Sequence, residues 1–88
     1  MTDSVKTILV IAQDKKTEAL RMASGLTLLD DRVQVSVLGD LEDSDAVNEQ
    51  LEALDFADVV VDRLDPAQAV DMAKLATQVG AADAVYMI

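Results

Sequence analysis

The 88-residue sequence contains no cysteine and no histidine. Thiolate nucleophiles, disulfides, imidazole bases and the commonest soft metal ligands are thereby excluded, and no metal or cofactor is expected. Tryptophan is absent too, and Phe56 and Tyr86 are the only aromatic residues. The core must be aliphatic, with no stacking platform for bases or cofactor rings. Basic residues are scarce: seven against seventeen acids give a net charge of -10, which repels nucleic acid phosphates and anionic membrane surfaces. No apolar run approaches the length of a membrane span. The opening Met1-Thr2-Asp3-Ser4 has no charged region feeding an apolar stretch, so a signal peptide is not expected. A soluble cytoplasmic protein follows as the expectation, compatible with a thiol-free chain.

What is present is a single domain's worth of apolar sequence, 51% hydrophobic, enough for a modest core. The charge is uneven. Between Val33 and Asp62 stand nine carboxylates and no Lys or Arg. The favoured reading is a solvated helix face that keeps the protein soluble; a docking surface for a basic partner is the alternative.

Periodicity divides the chain into alternating elements. Lys6 to Ala12, KTILVIA, is a continuous β-branched run expected of a central strand covered on both faces. From Asp14 to Asp30, Ala19, Met22, Ala23, Leu26 and Leu29 recur at helical spacing, with Leu20 and Leu28 widening the stripe. Val33, Val35 and Val37 then alternate with Gln34 and Ser36, which predicts a second strand more exposed on one face. Asp43 or Ser44 is the expected N-cap of a surface helix whose apolar side is Val47, Leu51 and Leu54. Ala57 to Asp62, ADVVVD, reads as a third strand. Asp65-Pro66 with Gln68 predicts a helix start, and Gly80 a left-handed C-cap after Val79. Asp83 to Ile88, DAVYMI, is a last apolar strand.

The predicted order is β-α-β-α-β-α-β with short connections, which implies a mostly parallel four-stranded sheet in a three-layer α/β sandwich. Exposed edges are normally blunted by charge or proline. The final strand has neither beyond Asp83, so it is expected either inside the sheet or covered by another subunit.

Ligands of open α/β sheets bind beyond the carboxyl ends of the strands. The predicted ends are Gln13, Asp14 and Lys15 after the first strand, Gly39 and Asp40 after the second, and Asp62 and Arg63 after the third; these seven are the candidate ligand-binding residues. No glycine-rich loop follows the first strand, which excludes dinucleotide and P-loop cradles. Gly25, mid-helix, is expected to serve a close packing approach. The acids Asp40, Glu42, Asp43 and Asp45 lack the order of a calcium loop. Asp14 and Asp62, with Pro66 beyond, are similar to the acidic pocket of phosphoacceptor receiver domains, but Gln13 replaces one acid of the usual pair and Asp65-Pro66 capping already accounts for the proline. No catalytic residue is indicated; an enzyme using Lys15, Lys16 or Arg63 on an anionic substrate is a third reading that no motif supports.

One block resembles a known family over more of the chain. Glu18 to Asp40, EALRMASGLTLLDDRVQVSVLGD, resembles the DsrE/DsrF/DsrH family of small α/β proteins. These open with a strand, continue with a helix rich in Ala and Leu, and enter a second strand of the form V-x-V-x-x-x-G-D, here Val33 to Asp40. The resemblance implies the scaffold and a tendency to form homo- or hetero-oligomers. Several members carry sulfur as a cysteine persulfide, but no residue of this sequence can: the thioethers of Met22, Met72 and Met87 cannot form one. The expectation is a non-catalytic domain that acts by association, with itself or a related small α/β subunit of a sulfur-relay type complex, and without persulfide chemistry. A small-ligand or receiver-like signalling domain is the alternative.

Overall fold

A computed structural model describes residues 6–28 and 31–88. Four strands, β1 (Thr7–Ala12), β2 (Arg32–Leu38), β3 (Val61–Leu64) and β4 (Ala84–Met87), alternate with three helices, α1 (Lys16–Leu26), α2 (Asp45–Phe56) and α3 (Ala69–Ala81). Every strand pair is parallel and the sheet order is β3-β2-β1-β4. The chain steps outward from β1 to β2 to β3, then returns over both to place β4 on the far side of β1. Right-handed crossovers put helices from opposite steps on opposite faces of a sheet. Accordingly α1 and α2 pack side by side on one face, and α3 lies on the other, where Lys74 and Gln78 reach sheet residues. The result is an α/β/α sandwich.

The two faces differ in kind. On the α1/α2 face, Ile8, Val10 and Ala12 of β1 and Val33, Val35 and Val37 of β2 meet Ala19, Leu20 and Ala23 of α1 and Val47 and Leu54 of α2 in one aliphatic cluster. On the α3 face, Leu9 and Ile11 are buried, yet α3 itself buries no residue fully. Its sheet-facing Met72, Leu75 and Gln78 are half-buried. Polar contacts do part of the holding. The Ser36 hydroxyl, 0% exposed, donates to Gln78 Oε1 at 2.6 Å, and Gln78 Nε2 donates to Asp62 Oδ2 at 2.8 Å. Lys74 pairs with the same carboxylate at 3.2 Å.

The predicted core stripes of the first two helices hold for Ala19, Leu20, Ala23, Val47 and Leu54, and Ser44 caps α2 by accepting from the Val47 N–H at 3.2 Å. Leu28 is 87% exposed, because α1 ends before it. Leu29 and Asp30 lie outside the described residues. Other expectations are corrected. The third strand begins at Val61 rather than Ala57; residues 57–60 are the turn after α2, with Asp58 at φ 60 and the Val59 N–H bound to Leu54 O. α3 begins at Ala69 because the Asp65 carboxylate caps only a local turn, accepting from the Ala67 N–H. Gly80 is helical and makes no left-handed cap; the helix ends at Ala81, before an extended Ala82. A Cβ on Gly25 would meet nothing within 4 Å, so no close approach explains that glycine. The polar face of β2 is less open than its alternation implied, since α3 covers Ser36.

The strand that ends the sequence lies at the sheet edge, beside β1 alone. Interior placement, one of the two expectations for it, is thereby removed.

Candidate functional site

The β1–α1 and β2–α2 loops leave the same end of adjacent parallel strands and frame a cleft of about 470 Å³. Gln13, Asp14, Lys15 and Asp40 line it, together with Lys16 and Glu42. Local backbone sets its shape. Gly39, at φ +82, turns the chain out of β2, a conformation that L side chains adopt only at a cost. Its N–H is held by Leu64 O at 2.8 Å, and Lys16 Nζ crosses from α1 to donate to the Asp40 carbonyl at 2.6 Å. One lysine thus joins the two loops. A Cβ on Gly39 would lie 3.4 Å from that ammonium, so the position is constrained by conformation and by a neighbour together.

The other predicted residues go elsewhere. Asp62 and Arg63 are not beyond the end of β3 but within it, because the strand is displaced toward the C-terminus. Asp62 stands opposite Ser36 in the register and shares its face, where Lys74 and Gln78 take both of its oxygens. Arg63, exposed, lines a separate cleft of about 310 Å³ with Gly39, Asp40 and Asp71. Asp14 and Asp62 are not brought together: β2 lies between β1 and β3, whereas the receiver-type order sets the first and third strands side by side.

The strand order changes direction between β1 and β4, and a switch-point crevice is expected there. The outward N–H groups of Gln13 and Asp14, which would face such a ligand, are bound by the Ile88 carbonyl at 2.8 and 3.1 Å. Among the described residues no group of three or more acids or other ligands is arranged to hold a metal ion, and no buried side-chain polar atom lacks a partner. The cleft is open and mixed in charge.

A second feature was only half legible in the sequence. Ile8, Leu9, Val10 and Ile11 pair with Ala84, Val85, Tyr86 and Met87, so Ala84 and Tyr86 share the α1 face and Val85 and Met87 the α3 face. Neither helix layer reaches far enough to cover them: Val85, Tyr86 and Met87 are 39%, 45% and 61% exposed. Parallel strands are normally covered on both faces. On α3, Val70 and Val79 are exposed as well, and Ala69, Ala73 and Ala76 lie exposed beside them. From Leu75 to Ile88 the only charged residue is Asp83. By contrast, of the nine carboxylates between Val33 and Asp62, all but Asp62 are exposed. No described helix is long and apolar enough to cross a membrane.

Comparison with known proteins adds one likeness. No family model matches the chain, and no curated protein matches it. Among solved structures, the crystal structure of protein Rv1636 from Mycobacterium tuberculosis H37Rv is similar at 14% identity and a TM-score of 0.48, covering 98% of this chain and 73% of that one.

Proposed function

We propose that this chain is a non-catalytic, DsrE-like cytoplasmic domain that works by association. It assembles with copies of itself or as the structural partner of a related small α/β subunit in a sulfur-relay type complex, and has no persulfide chemistry of its own. The observation that carries the reading is the edge strand β4, where Val85, Tyr86 and Met87 are exposed and no side chain from Ala84 to Ile88 is charged, on a protein of net charge -10. Apolar, charge-free patches of this kind mark interaction sites more often than open surface, and an unprotected edge strand is a template for pairing. The Glu18–Asp40 block supports the family side of the proposal, and the missing cysteine separates it from sulfur carriage. Size-exclusion chromatography with light scattering tests it: an assembly heavier than one 9.4 kDa chain at micromolar concentration is expected, and a strict monomer removes the main support.

A second reading is favoured by the cleft, which gathers Gln13, Asp14, Lys15 and Asp40. It makes the domain a binder of a small polar ligand at the carboxyl ends of β1 and β2. A ligand of the native state raises its melting temperature. Mg²⁺ with beryllofluoride, or inorganic phosphate alone, should then give a shift that Lys15→Ala reduces; no shift with either probe counts against this reading.

A further inference from the structure

The geometry points to a specific partner and register for the bare edge: a second copy of this chain, its β4 antiparallel to the first about a two-fold axis at Tyr86, giving one continuous eight-stranded sheet. The inference rests on the associative reading above and goes beyond it by naming the partner and the pairing.

The argument starts from which backbone groups are free. Ile88 N–H donates to Ile11 O at 3.0 Å, and Ile88 O accepts from Gln13 N–H at 2.8 Å. Ile88 therefore turns both its backbone groups toward β1. In a strand this orientation alternates with each residue, so Tyr86 also faces β1 and Val85 and Met87 direct their N–H and C=O away from the sheet. Asp83, next in that series, is not available, because its N–H is bound to Thr7 O at 2.8 Å and its carboxylate accepts from Thr7 N–H at 2.7 Å. The free edge thus offers two N–H and two C=O groups, on Val85 and Met87.

Only one two-fold register uses all of them. With the axis at Tyr86, Val85 of one copy faces Met87 of the other as a hydrogen-bonded pair, and Met87 faces Val85 likewise. Tyr86 meets its own equivalent as a non-hydrogen-bonded pair, where Cα atoms approach to about 4.5 Å. Moving the axis to Val85 would set Met87 against Asp83, whose N–H is taken. Moving it to Met87 leaves Val85 without a partner among the described strand residues.

Self-complementarity selects the second copy as occupant, because the two-fold register leaves no outward N–H or C=O of Val85 and Met87 without a partner, and charge permits the approach at this edge. Two bodies of net charge -10 repel wherever carboxylates meet, and Ala84 to Ile88 carries no charged side chain. Closed two-fold assembly through one self-complementary patch is also the commonest oligomer geometry. A basic partner would instead be drawn to the exposed carboxylates of α2. Across the seam, Val85 and Met87 of both copies form one apolar strip on the α3 face, and the two Tyr86 rings meet on the α1 face.

The natural absence of cysteine makes the register directly readable, since a single introduced cysteine can link only to its equivalent in another copy. Tyr86→Cys places two thiols across a non-hydrogen-bonded pair, within the roughly 4.4–6.8 Å Cα span of a disulfide, and mild oxidation should convert most of the chain to a covalent dimer. Val85→Cys sets its equivalents two residues apart, roughly 7 Å along the strand in addition to the lateral spacing, beyond disulfide reach, and should stay unlinked. Val85→Pro removes an outward N–H that no intramolecular bond uses; it should be monomeric by light scattering with an unchanged circular dichroism spectrum. If that variant misfolds, Val85→Lys serves the same purpose by setting a charge in the seam. A wild-type dimer in which Tyr86→Cys does not link overturns the register, whatever the Val85 variants do, and leaves the associative reading standing. A wild-type monomer overturns the self-pairing proposed here and removes the main support of the associative reading.

Discussion

Replacing Gln78 by alanine removes the one side chain that satisfies a buried hydroxyl on the α3 face. Ser36 is 0% exposed and donates to Gln78 Oε1 at 2.6 Å, while Gln78 Nε2 donates to Asp62 at 2.8 Å. Without the amide, Ser36 keeps its desolvation and loses its partner, at a cost of about 1–3 kcal/mol. Ser36→Ala does less harm, about 0.5–1.5 kcal/mol, because Gln78 is only half-buried and its oxygen can turn to water. The double variant leaves no orphaned hydroxyl, so its loss should fall short of the sum of the two single losses by about 1 kcal/mol or more, as for any pair in direct contact. Asp62 gives a smaller effect: its pairing with Lys74 is half-exposed, and such ion pairs contribute about 0–1 kcal/mol. Urea unfolding followed by far-ultraviolet circular dichroism gives each difference. The thermal counterpart is a fall of roughly 4–8 °C per kcal/mol for a domain of this size. Additive single losses, or a Gln78→Ala variant within 0.5 kcal/mol or so of wild type, would refute the idea that this bridge seats α3 on the sheet.

Other consequences are simpler to check. Leu20→Ala and Leu54→Ala, both at fully buried side chains of the α1/α2 face, should each cost about 2–5 kcal/mol in urea unfolding. Ser44→Ala deletes the α2 cap and should cost about 1 kcal/mol. The glycines should diverge. Gly25→Ala meets open space in a helix and should raise stability by up to about 1 kcal/mol, while Gly39→Ala is forced to φ +82 and should lower it by about 1–2 kcal/mol.

The fold was readable because its central signals are long-range in effect but local in sequence. An unbroken KTILVIA run has one reading, a strand buried on both faces, and β1 is that strand. The stripes of α1 and α2 follow the same logic, since both helices bury a real apolar face. Where the reading slipped, a local rule met a competing local bond. Asp65-Pro66 has the composition of a helix start, but its carboxylate closes a shorter turn and α3 begins later. ADVVVD has strand composition, but Asp58 at φ 60 reverses the chain there. That displacement also moved Asp62 and Arg63 from a strand end into the strand, and so dispersed the candidate site. The strand order, which decides that Asp14 and Asp62 stay apart, depends on the second crossover setting β3 beside β2 rather than beside β1, and no local pattern encodes that. The exposed apolar final strand was visible as an anomaly, and its place at the edge turned the anomaly into a surface.

The most direct measurement of the central claim is the solution mass of the unmodified chain by light scattering across a concentration series spanning micromolar values. Association through the β4 edge predicts a concentration-dependent rise to twice the 9.4 kDa chain mass, abolished by Val85→Lys. A mass that stays at one chain throughout, or a dimer indifferent to that substitution, contradicts it.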